Sequence, residues 1–116
     1  MTLAVTRLLL EDMLSYARMA VRFRGDLDAG ALDADEMRLM ALIRALEVVG
    51  EAASKVPASE RSALAQIPWR RIIDFRNFLI HGYGRVRTEA LVETVRDHVP
   101  PLIAELERIL NTQGQG

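Results

Sequence analysis

Cysteine is absent from the 116 residues, which excludes a disulfide framework and any thiolate metal site. Histidine occurs only at positions 81 and 98, so there is no close-spaced ligand pair, and neither a metal centre nor a cofactor is expected. No run of about 18 uncharged apolar residues exists, so no membrane-spanning helix is expected. The run Leu8-Leu9-Leu10 meets Glu11-Asp12 at once, unlike a signal peptide. Neither sign of charge dominates: 15 Lys and Arg against 16 Asp and Glu leave a net charge of −1. That balance argues against a domain that coats nucleic acid through bulk charge, but it allows a local basic patch. The lack of cysteine fits a reducing cytoplasm, and a cytoplasmic location is the expectation.

Half of the residues are apolar and 27% are charged, a globular balance. A chain of this length makes one domain with a moderate core and needs no covalent staples. Apolar residues recur in steps of three and four, and no stretch alternates as a strand would. The expected fold is all-α, an up-and-down bundle of about five helices over residues 1–110, followed by a flexible polar tail at 111–116.

Leu9, Met13, Tyr16, Ala20 and Phe23 mark one face of a helix over residues 3–24, ended by Gly25. Residues 25–32 read as a connection. Asp33-Ala34-Asp35-Glu36 resembles an N-cap with a reciprocal acid. Leu39, Ile43, Leu46, Gly50 and Ala53 continue a second helix to about Val56. Gly50 inside it costs about 1 kcal/mol relative to Ala and implies close approach by a neighbour. Glu47 and Glu51 form either a solvated acidic edge or, one of them, a partner that fixes the fork of Arg76. A short helix follows, capped by Ser59 and reaching about Ala65. Trp69 reads as a core or interface anchor. After a loop, Thr88 is placed to cap a last helix whose stripe is Leu91 or Val92, Val95, Val99, Leu102, Leu106 and Ile109. Pro100 and Pro101 predict a kink or break near His98 with helix on both sides. His98 itself reads as a surface or helix-end residue.

The chemistry concentrates in Arg76-Asn77-Phe78-Leu79-Ile80-His81-Gly82-Tyr83. Pro68 suits the first position of the helix that carries it, and Gly82 suits a left-handed residue just past its end. Arg76 brings a planar, permanently charged fork that matches a phosphate. His81 is able to give and take a proton near neutral pH. Asn77 can orient either, and Tyr83 adds a hydroxyl. Arginine and histidine without a carboxylate cluster or cysteine point to metal-free phosphodiester chemistry. Side chains five apart on a straight helix diverge by about 140°, so both aim at one spot only if the helix unwinds at Ile80 or His81. Arg70, Arg71, Arg85 and Arg87 add charge around Arg76, opposed between them only by Asp74, as either a solvated face or an RNA-contacting surface. The bland alternative is that Arg76 and His81 only complement the dipole of a helix end.

The spacing Arg76-x4-His81-x-Tyr83 resembles the signature of HEPN-domain ribonucleases, most closely the HepT-like toxin branch. Flanking segments extend the resemblance in family order over about residues 5 to 110. Glu47-Val48-Val49-Gly50-Glu51-Ala52 is similar to the family's acidic, glycine-containing helix. Ile67-Pro68-Trp69-Arg70-Arg71-Ile72-Ile73 is similar to its lead-in to the motif, and Val99-Pro100-Pro101-Leu102 to its late proline stretch. The resemblance implies a helical bundle and metal-independent cleavage of RNA, with tRNA among the candidate substrates. It assigns Arg76 and His81 as catalytic residues and Asn77 and Tyr83 as supporting ones; from charge and spacing, Glu47 and Glu51 are further candidate supports of Arg76, and Arg70, Arg71, Arg85 and Arg87 candidate RNA contacts. It further implies a homodimer with the site in the cleft between protomers. The implied partner is a minimal nucleotidyltransferase antitoxin, in a type VII-like toxin–antitoxin pair, that silences the toxin by AMPylation of Tyr83. One departure stands out: where relatives often carry a hydrophobic residue and then aspartate before the last helix, Val86 here precedes Arg87 and Thr88. The alternative function is an inactive HEPN module, a nucleotide- or protein-binding companion of a nucleotidyltransferase.

Overall fold

The computed structural model describes residues 3–82 and 85–115, with side chains described for 4–82 and 85–112. The described residues form helices and no strand. The order is α1 (Leu3–Arg24), α2 (Ala29–Asp33), α3 (Glu36–Lys55), α4 (Ala58–Ala63), α5 (Trp69–His81) and α6 (Thr88–Glu93), then a π-helical segment (Thr94–His98) and α7 (Val99–Gln115). The helices pack as a bundle: α1 packs on α3 and α7, and α3 packs on α5. No helix among the described residues is long and apolar enough to cross a membrane.

Gly25 ends α1 as expected, with φ 58° and its N–H on the Val21 carbonyl at 2.9 Å. The buried face of α1 is turned relative to the sequence stripe. Leu10, Met13, Leu14, Ala17 and Ala20 are buried, while Leu9, Tyr16 and Phe23 are only partly so. The reason is that α1 is sandwiched by two helices, which widens its apolar face beyond one stripe. Residues 29–32, expected in a connection, instead form α2 together with Asp33, capped by the Asp28 side chain on Ala31 N–H at 2.9 Å. The helix places Leu32 in the core, fully buried.

The cap of α3 is Asp35, whose carboxylate accepts from Arg38 N–H at 3.1 Å. Three expected caps do not form, the first being Asp33, which closes α2 and leaves the capping of α3 to Asp35. Pro57, not Ser59, precedes α4, and Thr88 is the first residue of α6 rather than its cap. The Thr88 hydroxyl instead donates to Asp33 Oδ1 at 2.5 Å, fastening α6 to the residue that ends α2. α7 runs on to Gln115.

Pro100 and Pro101 do not break the last helix. The turn before them widens to π, and Val99 N–H reaches the Thr94 carbonyl five residues back. A proline lacks the N–H of the regular ladder and its ring crowds the carbonyl four residues earlier. A widened turn gives the ring room, so α6, the π segment and α7 continue one another. Val95, Val99, Leu102, Leu106 and Ile109 are buried along it, as the stripe predicts.

Candidate functional site

The motif helix begins at Trp69 with Pro68 as its cap residue, one position earlier than proline's usual place inside a helix. Trp69 is buried and its indole N–H donates to the Leu64 carbonyl at 3.0 Å, which makes it the core anchor expected. Of the thirteen helical residues only Trp69 and Leu79 are buried.

The close approach implied by Gly50 is found, and the neighbour is Arg76. A Cβ at position 50 would lie 2.1 Å from Arg76 Cβ, 2.6 Å from its Cγ and 3.3 Å from the Ile72 carbonyl. The stem of Arg76 therefore lies across the bare backbone of α3. Its guanidinium Nη1 donates to Asn77 Oδ1 at 3.0 Å, while its Nε is buried with no acceptor. Neither Glu47 nor Glu51 pairs with Arg76. Both carboxylates are taken by Arg44 of their own helix, one turn from Glu47 and two turns from Glu51, at 3.4 and 3.3 Å. Glu51 and then Glu47 hold the Arg44 guanidinium above its ordinary pKa. Partners in the same helix meet through local geometry alone, which is why Arg44 wins over an arginine that must arrive from another helix.

His81 is the last residue of α5 and is exposed. The helix does not unwind before it: Gly82 N–H bonds the Phe78 carbonyl at 2.8 Å. Gly82 is also not left-handed, having φ −75° and ψ −19°. The need for glycine there is steric, since a Cβ would lie 2.7 Å from the Phe78 carbonyl oxygen. With the helix regular throughout, Arg76 and His81 leave it about 140° apart. Tyr83 lies outside the described residues, so the expectation that it is modified has no geometry here.

The basic residues spread rather than converge. Arg70 and Arg71 are exposed on the first turn of α5. Arg85 and Arg87 are exposed beyond its end, Arg87 being 4.0 Å from Glu89. His98 is exposed, as expected, on the rim of a cavity of about 580 Å3 between α3, α5 and the π segment. That cavity is floored by Leu46, Val49 and Phe75, with Arg71 on its edge. No group of three His, Asp or Glu side chains that could hold a metal occurs among the described residues. The sequence reasoning passed over Arg61. The available signal was that no acid stands three or four residues from it on its helix.

The fold is the all-α bundle that the resemblance to HEPN-domain proteins implies. The comparisons agree. The family model for ribonuclease HepT-like proteins matches residues 13–109, and the chain belongs to that family. Membership places it among the ribonucleases. It is 33% identical over 98 residues to a Methanocaldococcus jannaschii protein named "Putative RNase MJ1380", covering 84% of this chain and 90% of that one. It is 31% identical over 100 residues to "Probable ribonuclease HepT" of Thermococcus cleftensis, covering 86% and 91%. No solved structure matches the chain.

Proposed function

We propose that this chain is a metal-independent endoribonuclease toxin whose reacting groups are Arg76 and His81. In the reaction a ribose 2′-hydroxyl attacks the adjacent phosphorus in line, the bond to the 5′-oxygen of the next nucleotide breaks, and a cyclic phosphate end is left. His81, exposed and free of protein partners among the described residues, takes or returns a proton, a role worth about 10²–10⁴-fold. Arg76 stabilises the charge that grows on the phosphoryl oxygens. Asn77, already bonded to the Arg76 fork, steadies it.

The observation that carries the reading is the seating of Arg76 on Gly50. A guanidinium whose stem is pinned and whose head has no carboxylate among the described residues remains available to an external phosphate. Divergence of Arg76 and His81 by about 140° on one regular helix supports a two-fold dimer, in which the second motif supplies the complementary group. The proposed partner is a minimal nucleotidyltransferase. It would direct the Tyr83 hydroxyl onto the α-phosphate of ATP, releasing pyrophosphate and leaving AMP on Tyr83, a negative charge close in sequence to the His81 end of the motif. Arg85 and Arg87 extend the RNA-contacting surface beyond the motif helix.

Purified protein is incubated with total cellular RNA in EDTA, beside a His81→Ala control. Cleavage by the first that leaves cyclic phosphate ends, and none by the second, is the expected result. Activity that disappears in EDTA and returns with a divalent metal rejects the mechanism. Light scattering checks the shared site, because a fully active monomer is incompatible with it. Intact-mass spectrometry after co-expression with the nucleotidyltransferase checks modification, through a mass gain missing from Tyr83→Phe.

A further inference from the structure

Two buried guanidinium nitrogens among the described residues lack an acceptor: Nε of Arg76 and Nε of Arg61. The first belongs to the proposed site, and the second is on a different helix. Arg61 stands on α4 and lines an open groove of about 660 Å3 against the first turns of α5, together with Trp69, Arg70, Arg71 and Asp74.

Three guanidinium groups thus share one groove with a single carboxylate. Asp74 lies 3.9 Å from Arg70, in a pair so exposed that it does little to neutralise the groove. Glu60, the acid beside Arg61 in sequence, is committed elsewhere: its carboxylate accepts from the Thr6 hydroxyl of α1 at 2.7 Å. The Trp69 indole N–H is spent on the Leu64 carbonyl. The unspent donors of the groove are therefore guanidinium groups, which fit phosphate oxygens in a fork. The groove is open along its length, a shape that suits a polymer backbone rather than an enclosed small anion. Arg71 stands ten residues before His81 on a regular helix, about 15 Å along its axis. That separation is a few nucleotides of single-stranded RNA.

We infer that the groove between α4 and α5 is a backbone subsite for single-stranded RNA, in which Arg61 and Arg71 hold phosphates a few nucleotides from the bond that is cut. The inference rests on the ribonuclease reading and extends it to a residue outside the motif. The site discriminates by strand length and flexibility rather than by base, because contacts to phosphate carry no sequence information directly. A dinucleotide cannot reach it from the catalytic residues.

The test is binding of a fluorescein-labelled, mixed-sequence single-stranded RNA of about a dozen nucleotides, followed by anisotropy at several salt concentrations. His81→Ala protein serves as the parent, so that the RNA survives. Adding Arg61→Gln should raise Kd about tenfold, in line with loss of a charge-assisted hydrogen bond. It should also make the slope of log affinity against log salt shallower by about 0.7, the share of one single-strand phosphate. Arg71→Gln, on an exposed side chain, should do the same with an unchanged Tm, and Arg61→Lys should keep the slope. Unchanged Kd and slope in both glutamine variants overturn the inference. So does weaker binding of Arg61→Gln with an unchanged slope and a lower Tm, which marks a structural arginine. Variants that bind RNA as the parent does but lose the nucleotidyltransferase show an acidic protein surface as the occupant, and also overturn it. If wild-type protein cuts RNA while the groove variants bind like the parent, only the groove is wrong. If wild-type protein neither binds nor cuts RNA, the ribonuclease reading falls with it.

Discussion

α3 and α5 cross at a single glycine, and they are built for opposite purposes. α3 buries Leu42, Ala45, Leu46, Val49, Gly50, Ala52 and Ala53 between its neighbours. α5 buries only Trp69 and Leu79 and leaves Phe78 half exposed. Burial of apolar side chains at roughly 1.5–3 kcal/mol each makes α3 a main source of stability. α5 adds its two anchors and the partly buried Ile72, Ile73 and Phe75, and it carries the polar groups of the proposed site. The lesson is that a helix carrying the proposed site need not be well buried if one point of it is pinned hard. Here that point is Arg76 on Gly50, and the rest of the helix follows from it.

The comparison breaks most completely where the chemistry is removed without touching the core. His81→Ala should lower RNA cleavage by about 10²–10⁴-fold, measured as initial rate on total RNA. Its Tm should stay within a degree or so, because His81 is exposed and makes no side-chain bond among the described residues. A large fall in Tm would mean that His81 belongs to the scaffold.

Gly50→Ala attacks the crossing itself. The new Cβ would meet Arg76 Cβ at 2.1 Å, an overlap with the root of a side chain that no rotamer change relieves. The helices must move apart, at about 1–3 kcal/mol, and Arg76 moves with them. Both thermal stability and cleavage should drop, whereas a neighbouring change such as Val48→Ala should disturb cleavage far less. Activity retained at a lower Tm would show that the position of Arg76 matters less than its charge.

Thr88→Val sharpens the contrast from the scaffold side. It removes the bond to Asp33 and should cost about 0.5–1.5 kcal/mol in denaturant unfolding. Cleavage at a temperature where both proteins are folded should be unaffected.

The smallest effect concerns pH. The Arg96 side-chain hydrogen bond holds the Asp97 carboxyl below its ordinary value of 3.8, at the surface of the π segment. A lowered folded-state value means that the stabilising contribution is fully present above the ordinary carboxylate range and is lost as pH falls through the lowered value. Arg96→Gln should move the Asp97 titration upward by NMR and trim acid stability slightly, with no change at neutral pH.

The helical class, the end of α1 at Gly25, the buried stripe of α7 and the close approach at Gly50 were all legible from local pattern. Each depends on residues near in sequence: a periodicity of three and four, a glycine at a helix end, a glycine inside a helix. The motif was legible in the same way, because Arg76, Asn77 and His81 lie within one and a half turns of a single helix. What the pattern could not decide were the choices between partners. Glu47 and Glu51 had Arg44 within reach on their own helix and Arg76 as a candidate from α5, and the structure shows helix-local geometry giving them to Arg44 while Arg76 bonds Asn77. Thr88 could cap its own helix or reach across to Asp33, and it reaches across. Pro100 and Pro101 announced a disturbance, but whether it became a break or a π turn rested on the buried residues to either side, Val95 and Val99, which keep the rod against the core. Propensity and spacing act over a few residues and so are written in the chain. Competition between distant groups for one partner is settled by which of them the packed core brings within about 3 Å, the range of a hydrogen bond, and for this protein only the tertiary structure decided that.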